Sequence, residues 1–181
     1  LELIKTPLND CFILKPKVFG DDRGFFFESF NQRVFEAVTG VSGIFVQDNH
    51  SRSQERVLRG LHYQIQKPQG KLIRVLSGRI YDVAVDLRKS SSTFGKHFGT
   101  FLSAEEKMQV WIPPGFAHGF VVLEGVAEVA YKATEYYTPE FEKCIQWNDP
   151  SLRIDWKIKG EPILSAKDKM GVPFKEAVYY D

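Results

Sequence analysis

The stretch RGLHYQIQKPQGK, Arg59 to Lys71, sets an imidazole between two fixed cations, among residues that otherwise favour strands. Arg59 and Lys71 are donors with no acceptor to offer, while His62 can take or give a proton near neutral pH. Three chemistries fit such a set: a metal ligand, a hydrogen-bonded core histidine, or a base acting on an anionic substrate. If His62 and Lys71 both face inward they must be paired or open to a ligand, because an unpaired buried charge is expensive. The expected occupant of the space between them is an anion, or a group that becomes one during reaction.

Strands must position these residues. In IRVLSGRIYDVAVDLR, Tyr81, Val83, Val85 and Leu87 alternate with Asp82, Ala84, Asp86 and Arg88, the period-two pattern of a half-buried strand. Ser77-Gly78 ahead of that run reads as a tight hairpin turn. GFVVLEGVAEVAYKATEYY repeats the design, with Glu124-Gly125 as the turn and Val129, Tyr131 and Ala133 on one face. KHFGTFLS and QVWIPPG add short strands, the second broken by Pro113-Pro114. Helical signal is scarce. FNQRVFEAVTG offers Asn31 as a cap, Val34 and Val38 on one face and Gly40 as a stop, and SAEE at Ser103 to Glu106 resembles a capping box with little apolar face behind it. Many short strands closed by Gly and Pro turns predict one mainly β domain over residues 1–181, an antiparallel barrel or sandwich of the jelly-roll type with a few short helices.

Composition narrows the function classes. Hydrophobic residues make up 43% and aromatics 14%, as a folded, aromatic-rich domain requires. The 24 basic and 23 acidic residues leave a net charge of +1, which excludes a strongly basic nucleic-acid surface as the first reading. The opening LELIKTPLND has no apolar run of signal-peptide length and nothing approaches a membrane span, so no membrane partner is expected. Cys11 and Cys144, without CxxC spacing, are expected to be reduced, inert thiols in a cytoplasmic protein.

Two fragments resemble the cupin family of small β-barrels: Pro113 to His118 fits its PxGxxH element, and His62 stands near its first histidine element. Cupins commonly hold a divalent metal with two histidines of an HxH, a glutamate and a third histidine. Here the HxH position reads His62-Tyr63-Gln64, and with six residues between it and Gly78, where the carboxylate belongs, stands Lys71. An ammonium has no lone pair and repels a divalent ion. His62 and His118 alone make a poor metal site, so no metal is expected.

Ten fragments in order, DDRGFFFES, QDNHSRS, VLRGLHYQ, QGKL, DVAVDLR, STFG, WIPPGFAHGF, YKAT, WNDP and LSAKD, resemble the dTDP-4-dehydrorhamnose 3,5-epimerase family across residues 21–168. The resemblance implies a cofactor-free cupin-type homodimer of deoxysugar biosynthesis that converts dTDP-4-dehydro-6-deoxyglucose to dTDP-4-dehydrorhamnose. One departure is Arg56, where members often carry Gly. The C4 ketone of such a substrate acidifies the protons on C3 and C5, so inversion needs a base, an acid on the opposite face and a stabiliser for the enolate oxygen. His62 is the candidate base, Lys71 the enolate stabiliser and Tyr131 of YKAT the acid. The resemblance pairs His62 with Asp168 of LSAKD. It further implies Arg23, Arg59 and Lys167 as pyrophosphate binders, and Glu28, Gln47, Asp48 and Asn49 as polar contacts to thymidine or sugar. His118 is implied as a sugar contact and Tyr137 as the ring that stacks on thymine, with Glu142 nearby. In such relatives Arg23 and Glu28 reach the partner's site across a dimer interface.

Three competing functions share most of these residues. They are an epimerase inverting only C3 or only C5, a metal-dependent cupin enzyme, and a non-catalytic sugar-nucleotide binder.

Overall fold

The alternating segments do form strands, and every pair of them is antiparallel. The computed structural model describes residues 1–181. Its strands are β1 (Glu2–Lys5), β2 (Phe12–Lys15), β3 (Phe19–Asp21), β4 (Gly24–Phe26), β5 (Gln47–Gln54), β6 (Leu58–Gln64) and β7 (Lys71–Ser77). They continue with β8 (Arg79–Asp86), β9 (His97–Ser103), β10 (Gln109–Ile112), β11 (Phe116–Val122), β12 (Val126–Ala133) and β13 (Glu142–Cys144). Two short helices are α1 (Gln32–Thr39) and α2 (Ala166–Lys169). One six-stranded sheet runs β1-β2-β10-β7-β12-β5, a five-stranded sheet runs β13-β6-β11-β8-β9, and β3 and β4 form a separate hairpin. The result is a jelly roll of two opposed sheets, as the strand pattern predicts.

From β5 to β13 the chain changes sheet at every connection except β8 to β9. This corrects the hairpin reading of Ser77-Gly78 and Glu124-Gly125: each is a corner between sheets, since β7 pairs with β10 and β12 while β8 pairs with β9 and β11. A Gly turn looks the same in sequence whichever strand its successor pairs with. At Gly78 φ is +76° and an added Cβ would lie 2.2 Å from the Val126 carbonyl oxygen, so no side chain fits that corner. Arg56, where the family pattern has Gly, takes φ +62°, so the left-handed turn is kept despite the side chain.

Three apolar clusters hold the layers. Between the sheets lie Ile73, Val75, Ile80, Ala84, Leu102, Val110, Ile112, Phe120, Val122 and Val129. On the outer side of the five-stranded sheet, Leu58, Leu61, Val83, Val85, Leu87 and Val121 are covered by the C-terminal segment through Leu152, Trp156 and Ala177. The strand β8 is therefore buried on both faces, which corrects its half-buried reading: Asp82 and Asp86 are as buried as Val83 and Val85. Asp86 is satisfied by Arg88 at 3.0 Å, Ser91 at 2.7 Å and Thr93 at 2.7 Å. The polar phase of this strand lines the interior of the roll, and that interior is where the site lies.

The third cluster sits on the outer face of the six-stranded sheet, where Phe35 of α1 packs on Leu14, Leu72 and Trp111. Asn31 Oδ1 accepts the Arg33 and Val34 amides at 3.1 and 3.3 Å, and Gly40 ends the helix at φ +71°. Its anchor is Phe35 rather than Val34 and Val38, which are only partly covered. Fully burying such a ring is worth roughly 1.5–3 kcal/mol. The Ser103 hydroxyl accepts the Glu106 amide and donates to the Glu106 carboxylate, each at 3.2 Å, which closes a turn and no helix. Both cysteines are free. No helix is long and apolar enough to cross a membrane.

Candidate active site

The strand β6 delivers the first residues. Arg59 and His62 are three apart, a spacing that strict alternation would send to opposite faces. The register against β11 shifts between them, with His118 opposite His62 but Phe120 opposite Arg59, so β6 carries one extra residue. This bulge returns both side chains to the interior face. Gly60 makes it possible: its φ is +122°, and an added Cβ would stand 2.6 Å from the Gly119 Cα.

Asp168 arrives from α2 and lies 2.6 Å from His62 through Oδ1 and Nε2. The two atoms are in close contact, with the oxygen off the ring N–H axis. Asp168 is only 4% exposed. Its oxygens also accept the Gly60 amide at 3.1 Å and the Ser165 hydroxyl at 2.6 Å. Burial alone would raise its carboxyl pKa; the bonds from His62, Ser165 and Gly60 outweigh that and hold it down at about 2. Asp168 is therefore a carboxylate at any working pH.

Lys71 opens β7, in phase with inward-facing Ile73 and Val75. Burial lowers its ammonium pKa to about 8, against the opposing pull of Glu142 and Asp82. Its Nζ stands 5.8 Å from the centre of the Tyr131 ring, close enough for a cation–π contact. Tyr131 faces inward from β12, and burial with nearby Glu142 raises its phenol pKa, so it stays protonated. His118, on β11 directly opposite His62, pairs through Nε2 with Asp82 Oδ2 at 2.7 Å, both groups being buried. Two His–carboxylate pairs, an ammonium and a phenol thus share one interior.

A second group lies on neighbouring strands and loops. Arg59 Nε donates to Ser53 Oγ at 3.0 Å. Gln47 and Asn49 of β5 are joined at 3.0 Å, and the Asn49 amide nitrogen is buried without a protein acceptor, a donor left for a ligand. Tyr137 donates to Glu142 at 2.5 Å, and Lys167 pairs with the same carboxylate while its Nζ lies 5.9 Å from the Tyr137 ring centre. Burial works against the Glu142 charge, but Lys167 and Tyr137 prevail and lower its pKa.

Three expected residues do not join the interior. Asp48 lies between Gln47 and Asn49, so the pleat turns its side chain to the opposite face, where it pairs with Lys132 at 2.9 Å. A surface cavity on that outer face is lined by Asp48, His50, Arg74 and Lys132 together with Asn49 and Tyr131. Arg23 and Glu28 lie in or beyond the β3–β4 hairpin, away from their own chain's interior. Arg23 is 89% exposed and paired with Asp21, and Glu28 accepts from Asn31 at 3.1 Å. The hairpin also exposes Phe19, Phe25 and Phe26, the last by 72%.

The sequence reading missed Asp82, Gly60, Ser165, Ser53, Gln64 and Cys144. Asp82 was signalled by DVAVDLR once its polar phase is allowed to face inward, and Ser165 by its place as the cap of α2, accepting the Asp168 amide. Cys144 pairs in register with His62, and the donor atoms of His62, Cys144 and Asp168 lie within 4.8 Å of one another. His62 therefore has a thiol neighbour besides the carboxylate that the resemblance implies. The cupin metal set is still not met: burial and Asp168 raise the Cys144 thiol to about 12, Lys71 occupies the carboxylate position, and both histidines present Nε2 to an aspartate.

Comparison with known proteins identifies relatives across nearly the whole chain. The family model described as dTDP-4-dehydrorhamnose 3,5-epimerase matches residues 5–176. A dTDP-4-dehydrorhamnose 3,5-epimerase of Pseudomonas aeruginosa is 56% identical over 177 residues, covering 98% of each chain. A Legionella pneumophila dTDP-6-deoxy-D-glucose-3,5-epimerase, solved in complex with dTDP-4-keto-L-rhamnose, superposes with a TM-score of 0.95 at 51% identity, over 97% of this chain and 93% of that one. A 3'-monoepimerase from Streptomyces bikiniensis in complex with dTDP-quinovose superposes with a TM-score of 0.88 at 29% identity, over 94% of this chain and 86% of that one.

Proposed function

The chain belongs to the dTDP-4-dehydrorhamnose 3,5-epimerase family, and we propose on that footing how its interior inverts C3 and C5 of dTDP-4-dehydro-6-deoxy-D-glucose. The protein is an isomerase of deoxysugar biosynthesis whose product is dTDP-4-dehydro-L-rhamnose. Its fold is shared with a monoepimerase, but the relatives above half identity are double epimerases.

The observation that carries the mechanism is the convergence of the His62–Asp168 pair, Lys71 and Tyr131 inside one roll. His62 takes the proton from C3 or C5, and the carboxylate beside it stabilises the imidazolium that forms. The electron pair moves to the C4 oxygen, where Lys71 supplies a local positive charge. Tyr131, kept protonated, returns a proton from the opposite face. His118, fixed by Asp82, binds the sugar next to the ketone. No step calls on a metal or an organic cofactor.

Arg59 and Lys167 hold the pyrophosphate, Gln47 and Asn49 contact the nucleoside, and the Tyr137 ring stacks on thymine with Glu142 tying its hydroxyl. In the free chain Glu142 occupies Lys167, so substrate entry exchanges one anion for another at that ammonium. Arg23 and Glu28 complete the site of a second copy in a homodimer. What supports this is the exposed aromatic hairpin that carries them away from their own interior. The setting we infer is the cytoplasm, where the two unpaired cysteines suit a reducing environment.

The test is product analysis. Purified protein given dTDP-4-dehydro-6-deoxyglucose and a downstream reductase should yield dTDP-rhamnose, identified by NMR. A product inverted at one carbon only would reassign the protein to the monoepimerases.

A further inference from the structure

Gln64 lies two residues beyond His62 on β6, on the same inward phase, at the position of the second histidine of a cupin HxH. It is only 3% exposed and uses its whole amide. Nε2 donates to the carbonyls of Lys67 at 2.8 Å and Tyr136 at 3.2 Å, and Oε1 accepts the Thr138 amide at 2.7 Å. The segment it grips, residues 136–138, belongs to no helix or strand and carries Tyr137.

Side chains, not a backbone ladder, accept all three amides of that segment. Glu135 Oε1 takes the Tyr136 amide at 2.8 Å, Gln47 Oε1 the Tyr137 amide at 2.9 Å, and Gln64 the Thr138 amide. A loop held this way owes its shape to those acceptors. Of these three acceptors Gln64 is the one that also donates to a carbonyl of the segment, that of Tyr136, so it fixes the backbone from both sides. Beyond the backbone, the Tyr137 hydroxyl is fixed by Glu142, which stands opposite Gln64 in the β13–β6 register.

We propose that Gln64 is a positioning residue for nucleotide recognition, holding residues 136–138 so that the Tyr137 ring is set in advance for the base of a thymidine diphosphate. The inference rests on the reading of Tyr137 given under Proposed function. Its physical content is pre-organisation: a ring already in place loses little freedom when a base stacks on it. The Gln64 amide is spent on backbone groups, so its effect falls on affinity and not on the chemical step. Its seat on β6 joins the base platform to the strand that carries His62.

The experiment is a double-mutant cycle read by calorimetric titration with dTDP and by steady-state kinetics. Gln64→Met keeps side-chain length and volume but offers neither donor nor a comparable acceptor. It should raise both the dTDP Kd and the substrate KM by roughly tenfold, with kcat held within about threefold. Gln64→Glu keeps an acceptor for Thr138 but turns a carboxylate on two carbonyls, and should lose at least as much affinity. In a Tyr137→Ala background, Gln64→Met should change the dTDP Kd by less than about twofold. Equal losses in both backgrounds would mean a general structural defect and overturn the proposal, as would unchanged dTDP affinity in Gln64→Met. Wild-type protein that failed to bind dTDP would instead overturn the nucleotide reading itself, and this inference with it.

Discussion

Replacing Lys71 by Met separates the two things its ammonium does. The side chain keeps its length beside Tyr131 but loses the charge facing the enolate. Removing one well-placed stabiliser of a developing oxyanion costs about 10²–10³ in kcat, or roughly 3–4 kcal/mol. The same substitution should stabilise the fold. Burial lowers the Lys71 pKa from 10.5 to about 8, so holding the ammonium inside is unfavourable by at most about 3 kcal/mol, less what solvent access at this partly exposed residue relieves. The folded pKa lies below the unfolded one, so this penalty is fully present below about pH 8 and fades as pH rises toward 10.5. Lys71→Met should therefore melt higher than the wild type at pH 7, with the difference shrinking above pH 8. In the wild type kcat should fall as pH rises through about 8, and that limb should vanish in the variant. Coupled-reductase kinetics from pH 6 to 10, with calorimetric melts over the same range, read both effects. A variant within threefold of wild-type kcat, or one that melts lower at pH 7, would refute the reasoning.

Other outcomes follow from the same contacts. Asp168→Asn keeps the size of the group but removes a carboxylate whose pKa is lowered from 3.8 to about 2. That stabilisation, about 2 kcal/mol, is present above pH 4 and lost as pH falls through 2, so denaturant midpoints of wild type and variant should converge across that window. Mixing Arg23→Ala and His62→Ala chains should restore activity that each lacks alone, since one site of the mixed dimer then has both residues; no recovery would place Arg23 outside the partner's site. Dialysis against EDTA should leave kcat unchanged, because Lys71 and the aspartate-paired histidines leave no cupin metal set; lost activity restored by a divalent ion would contradict this.

Local chemistry made much of this legible. The period-two runs locate β8 and β12, Asn31 and Gly40 bound α1, and the His62–Asp168 pairing follows from the family pattern. What escaped depends on pairing between distant strands. Ser77-Gly78 could not be told from a hairpin turn, because its role as a corner is decided by β10 and β12 on one side and β11 on the other. Asp82 and Asp86 looked like a solvent face, since alternation marks two faces without saying that both are covered. Arg59 and His62 share a face only through a bulge that the register reveals. Asp48 was included as a neighbour in a motif, and the pleat of β5 excludes it from the interior.

The most direct test of the mechanism is solvent exchange at the substrate by His62→Ala in deuterated water. Wild-type protein should place deuterium at both C3 and C5 of the product, and the variant should place it at neither while still binding dTDP. Undiminished exchange in the variant would put the base elsewhere and undo the assignment of the His62–Asp168 pair.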